Sequence, residues 1–175
     1  MTNASIKAEA TKYIINTYGE ARALAFVRGD GAYVWDADGK RYLDFLGGIA
    51  VNALGHCHPA VVEAITEQAK TLLHCSNLYY IEPQVRLAKL LAENSFADKS
   101  FFCNSGAEAN EAAIKLARKY AQDQGHTGKY EIITMDQSFH GRTMATITAT
   151  AQPRYHVGFE PMLEGFSYVP FNDLD

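Results

Sequence analysis

No run of about 18 apolar residues occurs anywhere in the chain, so no segment reads as a membrane-spanning helix. No basic block occurs either. Lys and Arg number 16 against 20 Asp and Glu, a net charge of −4, which disfavours a surface that tracks nucleic-acid phosphates. Isolated anion pockets stay open, because they need local rather than net charge. Cysteine is scarce: Cys57, Cys75 and Cys103 form no CxxC pair, and three cannot all pair internally. That usage fits a reducing compartment better than a disulfide scaffold. The first residues, Met-Thr-Asn-Ala-Ser-Ile-Lys, lack the apolar stretch of a signal peptide, so a cytoplasmic protein is the expectation. Proline is low at 5 and glycine ordinary at 13, and neither an internal repeat nor a low-complexity segment is present. What remains is a soluble-type composition, 47% hydrophobic and 21% charged, over 175 residues. That is enough for one sizeable core.

Ser5 is placed to cap a short amphipathic helix with Ile6, Ala10, Ile14 and Thr17 on one face, ended by Tyr18-Gly19. Tyr33-Val34-Trp35, an Asp38-Gly39 turn and Tyr42-Leu43-Asp44-Phe45 read as strand, turn, strand. Gly47, Gly48 and Gly55 break up the stretch after that hairpin. After His58-Pro59 a helix is expected over roughly 60–73, with Val61, Ile65 and Leu72 or Leu73 facing a core. Another comes after Pro83, carrying Val85, Leu87, Leu90 and Leu91. From there strands and helices alternate. Ser100–Cys103 reads as a strand, Asn104-Ser105-Gly106 opens a long helix ending near Gly125, and Tyr130–Met135 is the next strand. Ala109, Ala113, Leu116, Ala117 and Tyr120 are expected to form the core stripe of the long helix. A Thr/Ala-rich helix comes after Arg142, and the segment from Gln152 to Val169 reads as ordered loop. The order argues for an α/β fold with a largely parallel sheet. Asn172 and Asp173 are good helix caps, yet only Leu174 and Asp175 come after them, which reads as a truncated chain.

Two segments carry chemistry. Ser105 and Glu108 fit an S-x-x-E capping box, and Gly106 lets a ligand approach the backbone. Such a turn lies at the carboxyl end of a strand, where free N–H groups and the positive dipole end favour a phosphate. The same pattern also starts helices with no ligand. The second segment, Ser138-Phe139-His140-Gly141-Arg142, should emerge at the same sheet edge. Phe139 offers a flat face to an aromatic cofactor, or is a core residue. Arg142 suits a carboxylate, and a structural role is weaker for it, since a helix N-terminus is the wrong end for a cation. His140 reads first as a hydrogen-bonded structural histidine. His56, Cys57 and His58 suggest a metal, but alternate residues of an extended segment point to opposite faces, so no metal is expected.

Asn104-Ser105-Gly106-Ala107-Glu108-Ala109-Asn110-Glu111-Ala112 with Lys115-Leu116-Ala117-Arg118 resembles the phosphate-binding segment of the class III pyridoxal-phosphate-dependent aminotransferases. Asp36-x-x-Gly39-x-x-Tyr42-Leu43-Asp44, Gly55-His56-x-His58-Pro59 and Ser138-Phe139-His140-Gly141-Arg142-Thr143 match in the same order, covering the chain from about Tyr18. Gly48-Ile49-Ala50-Val51-Asn52, Ser76-Asn77-Leu78 and Phe139-His140-Gly141-Arg142-Thr143 are most similar to members acting on N-acetylornithine.

The resemblance implies a type I pyridoxal-phosphate transferase fold, with residues 1–55 belonging to a small domain and 56–175 to the first part of the large, cofactor-binding one. It implies pyridoxal 5'-phosphate held through Ser105, Gly106 and Ala107, with Phe139 against its ring. Arg142 would receive the substrate carboxylate and Tyr18 would line the pocket. It also implies a homodimer with sites between subunits, and small amino and 2-oxo acids as substrates rather than nucleic acid or membrane. The implied reaction moves the δ-amino group of N2-acetylornithine to 2-oxoglutarate. Related members using ornithine, succinylornithine, succinyldiaminopimelate or 4-aminobutyrate remain alternatives, as does a non-catalytic fragment that holds a phosphate ligand. The family's Schiff-base lysine has no counterpart, since neither Lys99 nor Lys115 sits in a comparable context. The chain alone is therefore expected to be inactive.

Overall fold

The computed structural model describes residues 1–19 and 23–173, and their contacts divide the chain into two units, Met1–Tyr79 and Tyr80–Asp175. In the first unit, helix α1 (Asn3–Tyr13) is capped by Thr2 rather than Ser5. Ser5 is the third helical residue: its Oγ accepts from the Thr2 N–H at 2.9 Å while Thr2 Oγ1 accepts from the Ser5 N–H at 3.2 Å. This reciprocal box starts the helix three residues early. Ile14 is already extended, so Ile14 and Thr17 fall outside it.

Strands β1 (Phe26–Asp30), β2 (Tyr33–Asp36) and β3 (Arg41–Leu43) form an antiparallel meander. The β2–β3 hairpin is where the Asp-Gly turn placed it; β1, short and interrupted by Gly29, carries no such signal. Val34 and Asp36, two apart on β2, are buried on one face at 6% and 3% exposure. A short turn α2 (Gly47–Ala50) and helix α3 (Pro59–Thr71) come next. Val61, Ile65, Leu72 and Leu73, expected to face a core, are exposed.

The second unit opens with α4 (Glu82–Glu93), whose Val85, Leu87, Leu90 and Leu91 are also exposed. Gln84, Ala88 and Ala92 are the partly covered face. Phe101–Cys103 forms no strand, because no other strand among the described residues bonds to it. Helix α5 (Gly106–Asp123) then runs into the connection before β4 (Ile132–Met135). The expected core stripe of α5 is corrected: Ala109, Ala113, Leu116, Ala117 and Tyr120 are all exposed. The inward face is Ala107, Asn110, Glu111, Ile114, Arg118 and Ala121. Polar anchors set that choice, Asn110 to the His140 carbonyl at 2.8 Å and Arg118 Nε to the Tyr130 carbonyl at 2.9 Å.

Helix α6 (Met144–Ala149) buries five of its six residues. The segment expected to be loop holds a 3-10 turn, Pro153–Tyr155, and strand β5 (Phe166–Val169). β5 pairs parallel with β4, Ile132 opposite Phe166 through Met135 opposite Val169, so the parallel sheet exists with a partner strand the sequence concealed. At the end, Phe171 and Asn172 form a turn with Asn172 at φ 59°; Leu174 and Asp175 lie outside the described residues. No helix among the described residues is long and apolar enough to cross a membrane.

Candidate functional site

Ser105 is extended (φ −154°, ψ 161°) and its Oγ accepts from the Glu108 N–H at 3.2 Å, the N-cap bond expected of it. The reciprocal half differs: the Glu108 carboxylate reaches one residue further back, accepting from the Asn104 N–H at 2.6 Å and from its amide at 3.1 Å. The first intrahelical bond is Ala109 N–H to the Ser105 carbonyl, so the N–H groups of Gly106 and Ala107 lie before it, as at any helix start. A Cβ built on Gly106 would meet nothing within 4 Å. The space over the first turn of α5 is open.

The second segment is packed directly against that turn. A Cβ on Gly141 would stand 2.8 Å from the Ala107 Cβ and 2.6 Å from Thr146 Oγ1, and Gly141 has φ +137°, so only glycine fits. Asn110 Nδ2 donates to the His140 carbonyl at 2.8 Å, and the Thr143 hydroxyl donates to the Glu111 carboxylate. From the other side the His140 N–H donates to Thr150 Oγ1 at 2.9 Å. His140 is thus fixed through its main chain, not through the ring hydrogen bond expected of it.

Phe139 is 58% exposed, which removes the reading as a core residue. Its edge meets Tyr155 at 6.4 Å between ring centroids and 76° between planes. Arg142 is exposed, with its guanidinium carbon 4.5 Å from the Tyr155 ring centroid and 5.5 Å from that of Phe139. Among the described residues it has no carboxylate partner within ion-pair distance. Ser105, Gly106, Ala107, Phe139 and Arg142 therefore gather on one side of the second unit. Tyr18 belongs to the first unit, where it is 88% exposed and borders a cavity of about 480 Å³ beside α1.

Sequence reasoning missed Asn110, Glu111, Thr143 and Tyr155. Asn110 and Glu111 lie three and four residues beyond Ala107, so they share its helix face; that spacing was the available signal. Tyr155 lies in a segment that reads as loop.

The first unit has its own polar centre. His56 Nε2 lies 2.7 Å from Asp44 Oδ2, beside a cavity of about 370 Å³ bordered by Gly31, Ala32 and Asn52. The His56 hydrogen bond, helped by N–H donation from Gly47 and Leu46, holds the Asp44 carboxyl below the usual carboxylate range against the opposing effect of burial.

Residues 15–175 match the family model described as aminotransferase class III. The chain is 58% identical over 164 residues to an acetylornithine aminotransferase of Caldanaerobacter subterraneus subsp. tengcongensis, covering 94% of this chain and 42% of that protein. It is 53% identical to one from Pseudomonas putida, covering 97% of this chain and 41% of the relative. Among solved structures, the ornithine aminotransferase from Toxoplasma gondii ME49 superposes with a TM-score of 0.92 at 29% identity, over 99% of this chain and 41% of that one. A thermostable (S)-enantioselective omega-transaminase from Thermomicrobium roseum gives 0.91 at 32% identity, over 97% and 40%. The chain spans about two fifths of the length of these relatives.

Proposed function

The chain belongs to the class III aminotransferases, and from that premise we propose that the whole protein transfers the δ-amino group of N2-acetylornithine to 2-oxoglutarate, yielding N-acetylglutamate 5-semialdehyde and glutamate, a step of arginine biosynthesis. The observation that carries the reading is the contact of Gly141 with Ala107, which sets an open helix N-terminus beside an exposed ring and an Arg142 with no carboxylate partner among the described residues.

The residues present fit pyridoxal 5'-phosphate. Ser105, Gly106 and Ala107 would hold its phosphate by main-chain N–H groups and the positive end of α5, with no side chain in the way at Gly106. Phe139 would offer its exposed face to the ring. When bound, the cofactor supplies the electron sink that transamination needs. Arg142 orients the substrate by donating to its α-carboxylate in a planar fork, which disfavours 4-aminobutyrate. Tyr18 is a substrate-binding residue on the strength of the family resemblance alone. Transamination also needs a lysine to bond the cofactor and a carboxylate to keep the pyridine nitrogen protonated, and no motif in residues 1–175 provides either. We place the working enzyme in the cytoplasm as a homodimer with sites between subunits, residues 1–55 belonging to a small domain and 56–175 to the large one. The free thiols of Cys57, Cys75 and Cys103 support the compartment.

Gly106→Val in the whole protein tests the phosphate site. A branched side chain would enter the open space over the turn, and cofactor retention, read by absorbance after dialysis, should fall at least about tenfold, or about 1.4 kcal/mol. Unchanged retention refutes the phosphate assignment. Comparing kcat/KM for N2-acetylornithine and ornithine on the unaltered enzyme decides the donor.

A further inference from the structure

We propose that Tyr155 is a positioning residue for Arg142, holding the guanidinium beside Phe139 so that its N–H groups stay free for a carboxylate; this rests on Arg142 receiving the substrate carboxylate. Arg142 is a long, exposed side chain with no ion-pair partner among the described residues, and such a group loses rotamer freedom when it binds an anion. Two rings constrain it here, at 4.5 Å from Tyr155 and 5.5 Å from Phe139. Attraction to a ring face restrains a guanidinium while leaving its in-plane donors available.

Tyr155 is itself anchored. Its N–H donates to the Gln152 carbonyl at 2.9 Å, and Gln152 Nε2 donates to the Ser138 carbonyl at 2.9 Å and the Gln137 carbonyl at 3.3 Å, immediately before Phe139. The neighbouring cation, Arg154, is occupied within the turn: its Nη2 donates to Gln152 Oε1 at 2.9 Å and to the Tyr155 hydroxyl at 3.1 Å. Its guanidinium carbon also lies 4.7 Å from the Tyr155 centroid, so the ring is held by Arg154 through both face and hydroxyl, while Arg142 touches it through the ring alone. The turn thus ties the loop that carries Phe139 to the ring that orients Arg142.

The test uses the whole, cofactor-loaded enzyme and two readouts, steady-state kinetics and the calorimetric Kd of glutarate, a dicarboxylate that cannot react. Tyr155→Leu should raise both the donor KM and the glutarate Kd about 3- to 10-fold, with kcat within about twofold and the cofactor spectrum unchanged. Tyr155→Phe keeps the ring face and should restore most of the affinity. In an Arg142→Ala background, Tyr155→Leu should change the glutarate Kd no further, because the two residues act as one unit. An unchanged Kd in Tyr155→Leu beside a weakened one in Arg142→Ala overturns the positioning role and leaves the reading of Arg142 standing. An unchanged Kd in Arg142→Ala overturns both. Additive losses, or a Tyr155→Phe as weak as Tyr155→Leu, make Tyr155 structural and overturn the proposal. Should Tyr155→Leu fail to fold, Tyr155→Met removes the ring while keeping bulk, and the same outcomes apply.

Discussion

Among the described residues, the most buried polar group of the first unit is a carboxylate, Asp36; in the second unit it is a set of hydroxyls, Thr146, Thr148 and Thr150. Asp36 is acceptor-only and takes four donors: the Lys40 N–H at 2.8 Å, the Tyr42 hydroxyl at 2.8 Å, the Asn3 amide at 3.1 Å and the Asp38 N–H at 3.1 Å. It draws helix α1, the hairpin turn and β3 onto one point. A hydroxyl both gives and receives. Thr150 Oγ1 donates to the Thr146 carbonyl at 2.9 Å and accepts from the His140 N–H, joining α6 to the loop of the candidate site. Thr148 Oγ1 likewise donates to the Met144 carbonyl at 2.7 Å and accepts from the Leu163 N–H at 3.2 Å. A charged centre gathers a fold at the cost of pH dependence, whereas a hydroxyl centre wires loops together and does not titrate.

The largest effect should come from Asp36. Burial pushes its carboxyl up, but the donors from Lys40, Tyr42, Asn3 and Asp38 together hold it below the ordinary range. A carboxyl lowered in the folded state contributes stability that is fully present above its unfolded value, about 3.9, and is lost as pH falls through the folded one. Asp36→Asn in the whole protein should lower the unfolding midpoint at neutral pH more than any substitution below, and should flatten the acid limb of midpoint against pH. A limb of unchanged steepness would assign acid sensitivity elsewhere, Asp44 being another lowered carboxyl of this unit.

Next in size is a contrast inside the second unit. Thr150→Val leaves the His140 N–H without its acceptor and should cost about 1–3 kcal/mol, with faster hydrogen exchange at His140. Thr134 on β4 is also buried, but its Oγ1 has no hydrogen-bond partner among the described residues. Thr134→Val should therefore be neutral or stabilising, by up to about 1 kcal/mol. Equal losses at both positions, in paired chemical denaturation curves, would erase the distinction between wired and unwired hydroxyls.

The smallest expected effect concerns backbone strain. Gly47, Gly48, Ile49 and Ala50 all have positive φ, with Ile49 at φ 60°, ψ 59°. A β-branched residue there is disfavoured by about 1–2 kcal/mol, of which glycine's extra freedom in the unfolded chain offsets part. Ile49→Gly should raise the unfolding free energy by about 0.5–1 kcal/mol. Gln137, at φ 61° in the second unit, is unbranched, and Gln137→Gly should gain less. The reverse order would show that the Ile49 side chain contributes packing that outweighs the strain.

Local signals were legible wherever a short stretch carries its own physics. The Asp-Gly hairpin, the Ser105 cap, the Pro59 helix start and the strand before Phe139 all stand where the residues placed them. The cap of α1 is harder to place because Thr2 and Ser5 are both capping residues, and only their reciprocal bonds decide between them. Faces are harder still. The apolar periodicities of α3 and α5 name Val61, Ile65, Ala113 and Leu116 as inward, yet all are exposed among the described residues. Periodicity says which residues share a face; it does not say what covers that face.

The sequence by itself determined the elements that chemistry needs: a capped helix N-terminus with a glycine in its first turn, and a strand leading to Phe139 and Arg142. Hydrogen bonds over one to four residues fix those features, so they survive reading in one dimension. Only the tertiary structure decided that β5 is the parallel partner of β4, that Gly141 rests on Ala107, and that Tyr155 takes Arg142 against its ring. Each of those contacts joins residues at least 13 positions apart along the chain, by the numbering of the pairs Arg142–Tyr155, Ile132–Phe166 and Ala107–Gly141. Such contacts are selected by what else competes for the same surface, and a linear pattern carries no record of that competition.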